Sequence, residues 1–263
     1  MNELLSQTVE ITRAAGAVIL NYYQSSFDVR DKKPDNPVTD ADFAADKLLK
    51  ERLIELLPEA GWLSEETVDN PLRLLKEYVW VVDPLDGTKE FVMGIPEFTI
   101  SVGLVRDGRP QLAVIFNPAT DELYTATHKG GVMYNGQAAH TSKRADLEGA
   151  QIDASRSEWK RGEFEPFEDL VEANIVGSIA YKLARVAAGQ ADATWSRGPK
   201  NEWDICAGAL LVVEGGGACV DLDDKDLFFN RPRPKVNGVI ADNGLLHETV
   251  IAALKPHGAA RVH

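Results

Sequence analysis

The chain has 263 residues, 44% hydrophobic and 26% charged, and its 28 Lys and Arg face 41 Asp and Glu for a formal net charge of −13. Such a composition belongs to ordinary globular proteins, and the length suits one large domain or two small ones sharing an interface. The acidic balance argues against binding a nucleic acid polymer, which needs a basic face. It leaves room for a small phosphorylated ligand, because a few local cations or metal ions reverse the sign inside a cleft.

The N-terminal Met1–Ser6 lacks the basic region and apolar core of a secretory signal, and no apolar run approaches the ~20 residues that span a bilayer. The expectation is a cytoplasmic protein with no membrane partner. Residues 3–24 predict a helix ending near Tyr22-Tyr23. Thr39, after Pro37-Val38, predicts the N-cap of a second helix, in which Ala45, Leu49, Leu53 and Leu56 recur at helical spacing until Pro58 and Gly61 stop the pattern. An acidic segment, Leu63-Ser64-Glu65-Glu66-Thr67, precedes the strand-like run Tyr78–Val82. Phe98–Val105 and Gln111–Phe116 flank Asp107-Gly108, a strong hairpin signal. Leu123–Thr127 and Gly131–Tyr134 continue the meander to a turn at Asn135-Gly136. Beyond residue 140, Ile152–Ala154, Asn174–Val176 and Ala191–Trp195 read as strands and Ile179–Ala188 as a helix. A last helix is expected from Asp204 to Glu214, stopped by Gly215-Gly216-Gly217. Cys206 and Cys219 sit in apolar stretches and read as buried core residues.

The chemistry concentrates in Trp80–Phe91. A buried strand there delivers Asp83 and Asp86 at its C-terminal end, with Pro84 fixing one torsion between them. Such a turn can aim both carboxylates and the Leu85 carbonyl at one point, a hard-oxygen set suited to Mg²⁺. Gly87 allows close backbone approach to a ligand, and a helix starting near Thr88 would aim free N–H groups at a phosphate. Read blandly, the same residues are an Asp-rich turn with Asp86 as a cap. If Glu65, Asp83, Asp86 and Asp204 converge, however, each pair at ~4 Å repels by about 4 kcal/mol at an effective dielectric of 20. Two Mg²⁺ ions would neutralise all four charges. The five histidines show no metal-ligand spacing, which leaves a zinc hydrolase unsupported.

The Asp83–Phe91 segment resembles the signature of the inositol monophosphatase superfamily. Val38-Thr39-Asp40-Ala41-Asp42, Ser64-Glu65-Glu66, Gly177-Ser178-Ile179-Ala180 and Trp203-Asp204 with its glycine-stopped helix resemble further conserved pieces in the right order. The resemblance implies an α+β fold, a layered αβαβα sandwich. Its N-terminal half would be 1–140, with antiparallel sheet and most metal ligands, and its C-terminal half 141–263, with the active site between them. It implies two or three Mg²⁺ ions, with Glu65, Asp83 and the Leu85 carbonyl on one, and Asp83, Asp86 and Asp204 on another. Thr88, helped by Glu65 or Asp42, would orient the attacking water, and the amides of Gly87 and Thr88 would hold phosphate oxygens. It also implies a homodimer acting on a small phosphorylated metabolite without a covalent intermediate.

Lys89-Glu90-Phe91 after Thr88 resembles the branch that hydrolyses 3′-phosphoadenosine 5′-phosphate, as do Gly198-Pro199 ahead of Trp203-Asp204 and the loop Ala154–Ser157. On that reading Lys89, Arg156, Gly177, Ser178 and Glu202 contact substrate, and Lys182, Arg197 and Lys200 lie in segments that could reach the cleft. Gly177–Asp192 has instead the texture of the inositol branch, so inositol-1-phosphate or a related sugar or histidinol phosphate stays open. A haloacid-dehalogenase-type phosphatase is disfavoured, since its motif has one residue between the acids and Asp83 and Asp86 have two. A phosphometabolite sensor that has lost turnover would have been marked by a missing ligand or a missing Thr88, and none is missing.

Overall fold

A computed structural model describes residues 1–23, 29–33 and 36–258 of the chain. Helices α1 (Asn2–Tyr22) and α2 (Asp40–Leu56) flank a short hairpin, β1 (Val29–Lys33) and β2 (Asn36–Thr39). Next come β3 (Gly61–Ser64), β4 (Tyr78–Asp86), the short helix α3 (Thr88–Val92) and a meander of β5 (Thr99–Arg106), β6 (Arg109–Asn117), β7 (Glu122–Thr127), β8 (Val132–Tyr134) and β9 (Gln137–Ala139). The chain continues through β10 (Ala150–Ala154), α4 (Arg156–Lys160), β11 (Val171–Ile175), α5 (Ile179–Ala187), β12 (Ala193–Ser196), β13 (Lys200–Asn201) and α6 (Glu202–Glu214). It closes with β14 (Ala218–Val220), β15 (Lys235–Val236), β16 (Val239–Asp242) and α7 (His247–Leu254).

Strands β3 to β9 form one seven-stranded sheet in sequence order, parallel at β3–β4 and antiparallel elsewhere. The apolar run in β4 is continuous because both faces of this strand are covered. Trp80 and Val82 face α1 and α2, where Ile11, Ala15, Ile19, Ala45, Leu49 and Leu53 pack. Val79 and Val81 face the other way, onto Leu183 and Ala184 of α5 and Ile205, Cys206 and Leu211 of α6. A second sheet, in the order β11-β10-β12-β16-β14, meets the far side of α5 and α6 through Cys219, Val239 and Ala241. Its outer face, with Ile152, Ala154, Trp195 and Ile240, is closed by Phe164, Phe167 and the Val250 and Leu254 side chains of α7. The result is the expected helix–sheet–helix–sheet–helix sandwich. Among the described residues no helix is long and apolar enough to cross a membrane.

The α2 start follows the expectation: Thr39 and Asp42 form a reciprocal capping box. Helix α6 begins two residues before the expected Asp204, which sits instead at the third helical position and closes a capping box with Asn201. Strands β3, β9, β14, β15 and β16 escape sequence periodicity, because two to four residues hardly complete one alternation, and the helices α4 and α7 were not expected either. The last residue of the first predicted helix, Gln24, and His263 lie outside the described residues.

The middle layer has a tight point that tests this packing. A Cβ on Gly208 of α6 would stand 2.5 Å from Leu183 Cβ of α5, inside van der Waals contact. Gly208→Val should therefore cost about 1–3 kcal/mol through overpacking, lowering the melting temperature by roughly 2–4 °C per kcal/mol. Urea and thermal unfolding measure it, and a variant as stable as the parent would mean that the helices are not in close contact there.

Candidate active site

Four carboxylates converge at the C-terminal end of β4. Glu65 leaves β3 beside that end, its N–H donating to Val82 O at 3.3 Å. Carboxylate oxygens of Glu65, Asp83 and Asp204 all lie within 4.8 Å of one another. Asp86 completes the set: its Oδ2 accepts from Ser178 Oγ at 2.6 Å and from Ala180 N at 2.7 Å, at the start of α5. The pairing of β4 with β5 slips here, Asp83 facing Ser101 and Asp86 facing Thr99, so one extra residue bulges out. Bulges of this kind re-aim side chains next to functional sites. Leu85 N donates back to Asp83 Oδ1 at 3.0 Å and fixes the turn.

Electrostatics record the strain of that convergence. Desolvation, then Glu65, Asp86 and Asp204, pushes the Asp83 carboxyl well above its ordinary value. Desolvation raises Asp86 as well, against its bonds from Ser178 and Ala180. Asp204 is pushed up to about 8 by desolvation, then by Asp86 and Glu65. An all-oxygen donor set that cannot hold its own negative charge fits a hard divalent cation such as Mg²⁺.

Thr88 Oγ1 lies 3.1 Å from Asp42 Oδ1 and 3.0 Å from Leu85 O. Asp42 Oδ2 accepts from Thr39 N at 2.8 Å and Thr39 Oγ1 at 2.6 Å, so one buried carboxylate caps α2 and holds Thr88. Gly87 has φ +96°, and a Cβ there would stand 2.7 Å from Glu97 O, so glycine is required.

The cleft, about 290 Å³, is lined by Glu65, Asp83, Leu85, Asp86, Gly87, Thr88 and Asp204, as well as by Lys89, Gly177 and Ser178. Two expected substrate contacts are not part of it. Arg156 is drawn aside by Glu97 at 2.5 Å and Glu90 at 3.4 Å. Glu202 is fully buried and accepts from Asn230 N at 2.5 Å, Arg231 N at 3.2 Å and Arg231 Nε at 2.9 Å, which makes it an anchor for the 230–231 loop. Arg197 does not line the cleft either, whereas Lys182 and Lys200 do. Lys182 is 1% exposed and meets Glu158 at 3.1 Å, with Lys200 on the other Glu158 oxygen at 3.9 Å. Glu158 escaped the sequence reading. Its signal was the lone lysine in the apolar stretch Ile179–Ala188, which needs a buried counter-charge.

The metal-free acid cluster predicts a pH dependence. Asp204 titrates in the fold at about 8 but at about 3.9 in an unfolded chain. Over that window the fold binds a proton that the unfolded chain has released, so stability falls as pH rises. The metal-free melting temperature should drop from about pH 5 to pH 8, and Asp204→Asn should flatten the drop. Mg²⁺ should stabilise most at the upper end, because metal and protons compete for the same oxygens. Calorimetry with and without Mg²⁺ checks this; equal Mg²⁺ shifts at both ends would count against a carboxylate metal site.

Comparison with known proteins agrees with the geometry. The profile described as "Inositol monophosphatase family" matches residues 1–259. An inositol-1-monophosphatase of Rhizobium meliloti is 39% identical over 207 residues, 73% of this chain and 74% of that protein. The 3′(2′),5′-bisphosphate nucleotidase CysQ of Aggregatibacter actinomycetemcomitans is 33% identical over 242 residues, covering 89% and 90%. The crystal structure of the extragenic suppressor protein suhB of Bartonella henselae superposes with a TM-score of 0.87 at 30% identity, covering 96% of this chain and 98% of that one. With its carboxylate cleft and its layered fold, this chain belongs to the inositol monophosphatase family of magnesium-dependent phosphatases.

Proposed function

We propose that the chain hydrolyses a phosphate monoester carrying a second anionic group, with 3′-phosphoadenosine 5′-phosphate as the best-fitting substrate and AMP and phosphate as products. The observation that carries this reading is the pair of lysines, Lys182 and Lys200, that line the same cleft as the carboxylates. Lys182 and Lys200 contribute two positive charges against one from Glu158, leaving one surplus positive charge facing the cleft. Desolvation would raise Glu158, but Lys182 and Lys200, with the Ser196 and Ser155 bonds, hold it well below the ordinary carboxylate range. Glu158 is thus held as a carboxylate, and on this reading the surplus charge serves a ligand.

On this reading Glu65, Asp83, the Leu85 carbonyl, Asp86 and Asp204 hold two or three Mg²⁺ ions. Bound Mg²⁺ supplies positive charge to the phosphoryl group and the departing oxygen. Thr88 donates to Asp42, which leaves its oxygen lone pairs to accept from a water that Glu65 also holds, in line with the phosphorus. The amides of Gly87 and Thr88 receive phosphate oxygens. Inositol 1-phosphate is the second reading, supported by the name of the Rhizobium meliloti relative and its 39% identity.

Removing the 5′-phosphate should lower kcat/KM about ten- to a hundred-fold, since charge-assisted contacts are worth roughly 1.5–3 kcal/mol each. Lys200→Met should produce most of the same loss on the bisphosphate and little change on adenosine 3′-monophosphate. Lys200 is the better probe, being partly exposed, whereas removing Lys182 strands a buried Glu158. Added salt should narrow the gap. A panel with inositol 1-phosphate, fructose 1,6-bisphosphate and histidinol phosphate, read by phosphate release, decides it; a preference for inositol 1-phosphate retires the bisphosphate reading.

A further inference from the structure

We propose that Asp46 is a positioning residue for Glu65, a clamp that sets how tightly the carboxylate cluster takes up Mg²⁺. The proposal rests on the metal reading of the cluster. Asp46 lies on α2 one turn after Asp42, is 7% exposed, and is not among the residues that line the cleft. Its two carboxylate oxygens are divided between two hydroxyls. Oδ1 accepts from Ser64 Oγ at 2.5 Å and Oδ2 from Thr67 Oγ1 at 2.7 Å. Ser64 immediately precedes Glu65 and Thr67 follows it by two residues, so the fork grips the loop on both sides of the ligand. Trp62 Nε1 donates to Thr67 Oγ1 at 3.3 Å and extends the grip back into β3.

The loop needs such a hold. Strand β3 is a four-residue edge strand paired to β4 on one side. Beyond it, Glu65 must stand with its carboxylate within 4.8 Å of those of Asp83 and Asp204. Repulsion among these groups pushes an edge loop outward, and charge-assisted bonds from a buried carboxylate are strong enough to resist it. Helix α2 is the shared support: Asp42 fixes Thr88 on one side of the cleft, and Asp46 fixes the Glu65 loop on the other. Partners that orient metal ligands typically change metal affinity or activity ten- to a hundred-fold when removed.

The test measures Mg²⁺ binding by titration calorimetry with no substrate present, next to the melting temperature of the metal-free protein. Asp46→Ala leaves the buried Ser64 hydroxyl and the half-buried Thr67 hydroxyl without this acceptor and risks the fold, so the loop side carries the experiment. Ser64→Ala with Thr67→Val removes both donors and keeps the side-chain volumes nearly constant; because it also strands the buried Asp46 carboxylate, Asp46→Asn is measured beside it as the variant without a stranded charge. The double variant should bind Mg²⁺ roughly ten- to a hundred-fold more weakly, with substrate KM and kcat recovering at saturating Mg²⁺. Asp46→Asn, which keeps one acceptor oxygen, should fall between. A merely structural contact would lower the melting temperature and leave Mg²⁺ affinity untouched. A folded double variant with parental Mg²⁺ affinity overturns the proposal. If the parent itself bound no Mg²⁺, the metal reading would fall and the clamp with it.

Discussion

Everything at the centre of this molecule answers to the repulsion among Glu65, Asp83, Asp86 and Asp204. The four groups arrive from three local devices: Glu65 from just beyond an edge strand, Asp83 and Asp86 from a bulge in β4, and Asp204 from the first turn of α6. Two helix N-termini relieve part of the charge, since Asp86 accepts from Ala180 N at the start of α5 and Asp204 from Asn201 N at the start of α6. Such placement is worth about 0.3–1 kcal/mol, reaching ~2 at best. A single carboxylate pair at ~4 Å repels by about 4 kcal/mol at a dielectric of 20. Dipoles and backbone bonds hold the groups in place, but they cannot neutralise them; cations must.

The layered fold is the device that makes this convergence affordable. Helices α5 and α6 are buried on both sides, against the seven-stranded sheet and against the five-stranded one. Their N-termini are thereby fixed with respect to the end of β4 by the same contacts that build the largest core. The Gly208 approach to Leu183 sets the spacing between the two helices, and with it the spacing between Asp86's partner Ala180 and Asp204. Packing and site geometry are one problem here. On the opposite face α1 and α2 cover the sheet, and α2 supplies Asp42 and Asp46 from its buried side.

What the sequence made legible was what short-range physics controls. The continuous apolar run ending in Asp83-Pro84-Leu85-Asp86-Gly87-Thr88 marks a doubly covered strand feeding a turn of hard ligands, and the structure has both. The Thr39 cap and the Gly215–Gly217 stop were equally local. Partners far apart in the chain were not legible. Glu202 was expected at the substrate because the segment leading to Asp204 resembles the nucleotidase branch, yet helical geometry turns it away, onto Asn230 and Arg231. Arg156 had the right loop but meets Glu97, 59 residues distant. Lys182 and Glu158, 24 apart, make a buried pair whose existence depends on how two elements dock. Asp46 and its hydroxyls, 18 and 21 residues away, carry no pattern that propensity or periodicity can read.

To bind the proposed bisphosphate, a chain of net charge −13 would have to invert its own field locally, and the carboxylates and lysines lining the cleft would do so by different means. The carboxylates are negative until cations arrive, whereas Lys182 and Lys200 bring two cationic groups against the one acid Glu158. Lys200 acts on the cluster and on Glu158: its charge favours the ionised forms of Asp86, Asp204 and Glu158 alike. Without cations its field is shared with the acid cluster. Once bound cations matched the carboxylates, that demand would disappear and the positive charge of Lys182 and Lys200 would be left to the ligand. On the proposed reading, metal loading would do more than supply chemistry at one phosphate, since it would also determine how much positive field reaches a second anionic group.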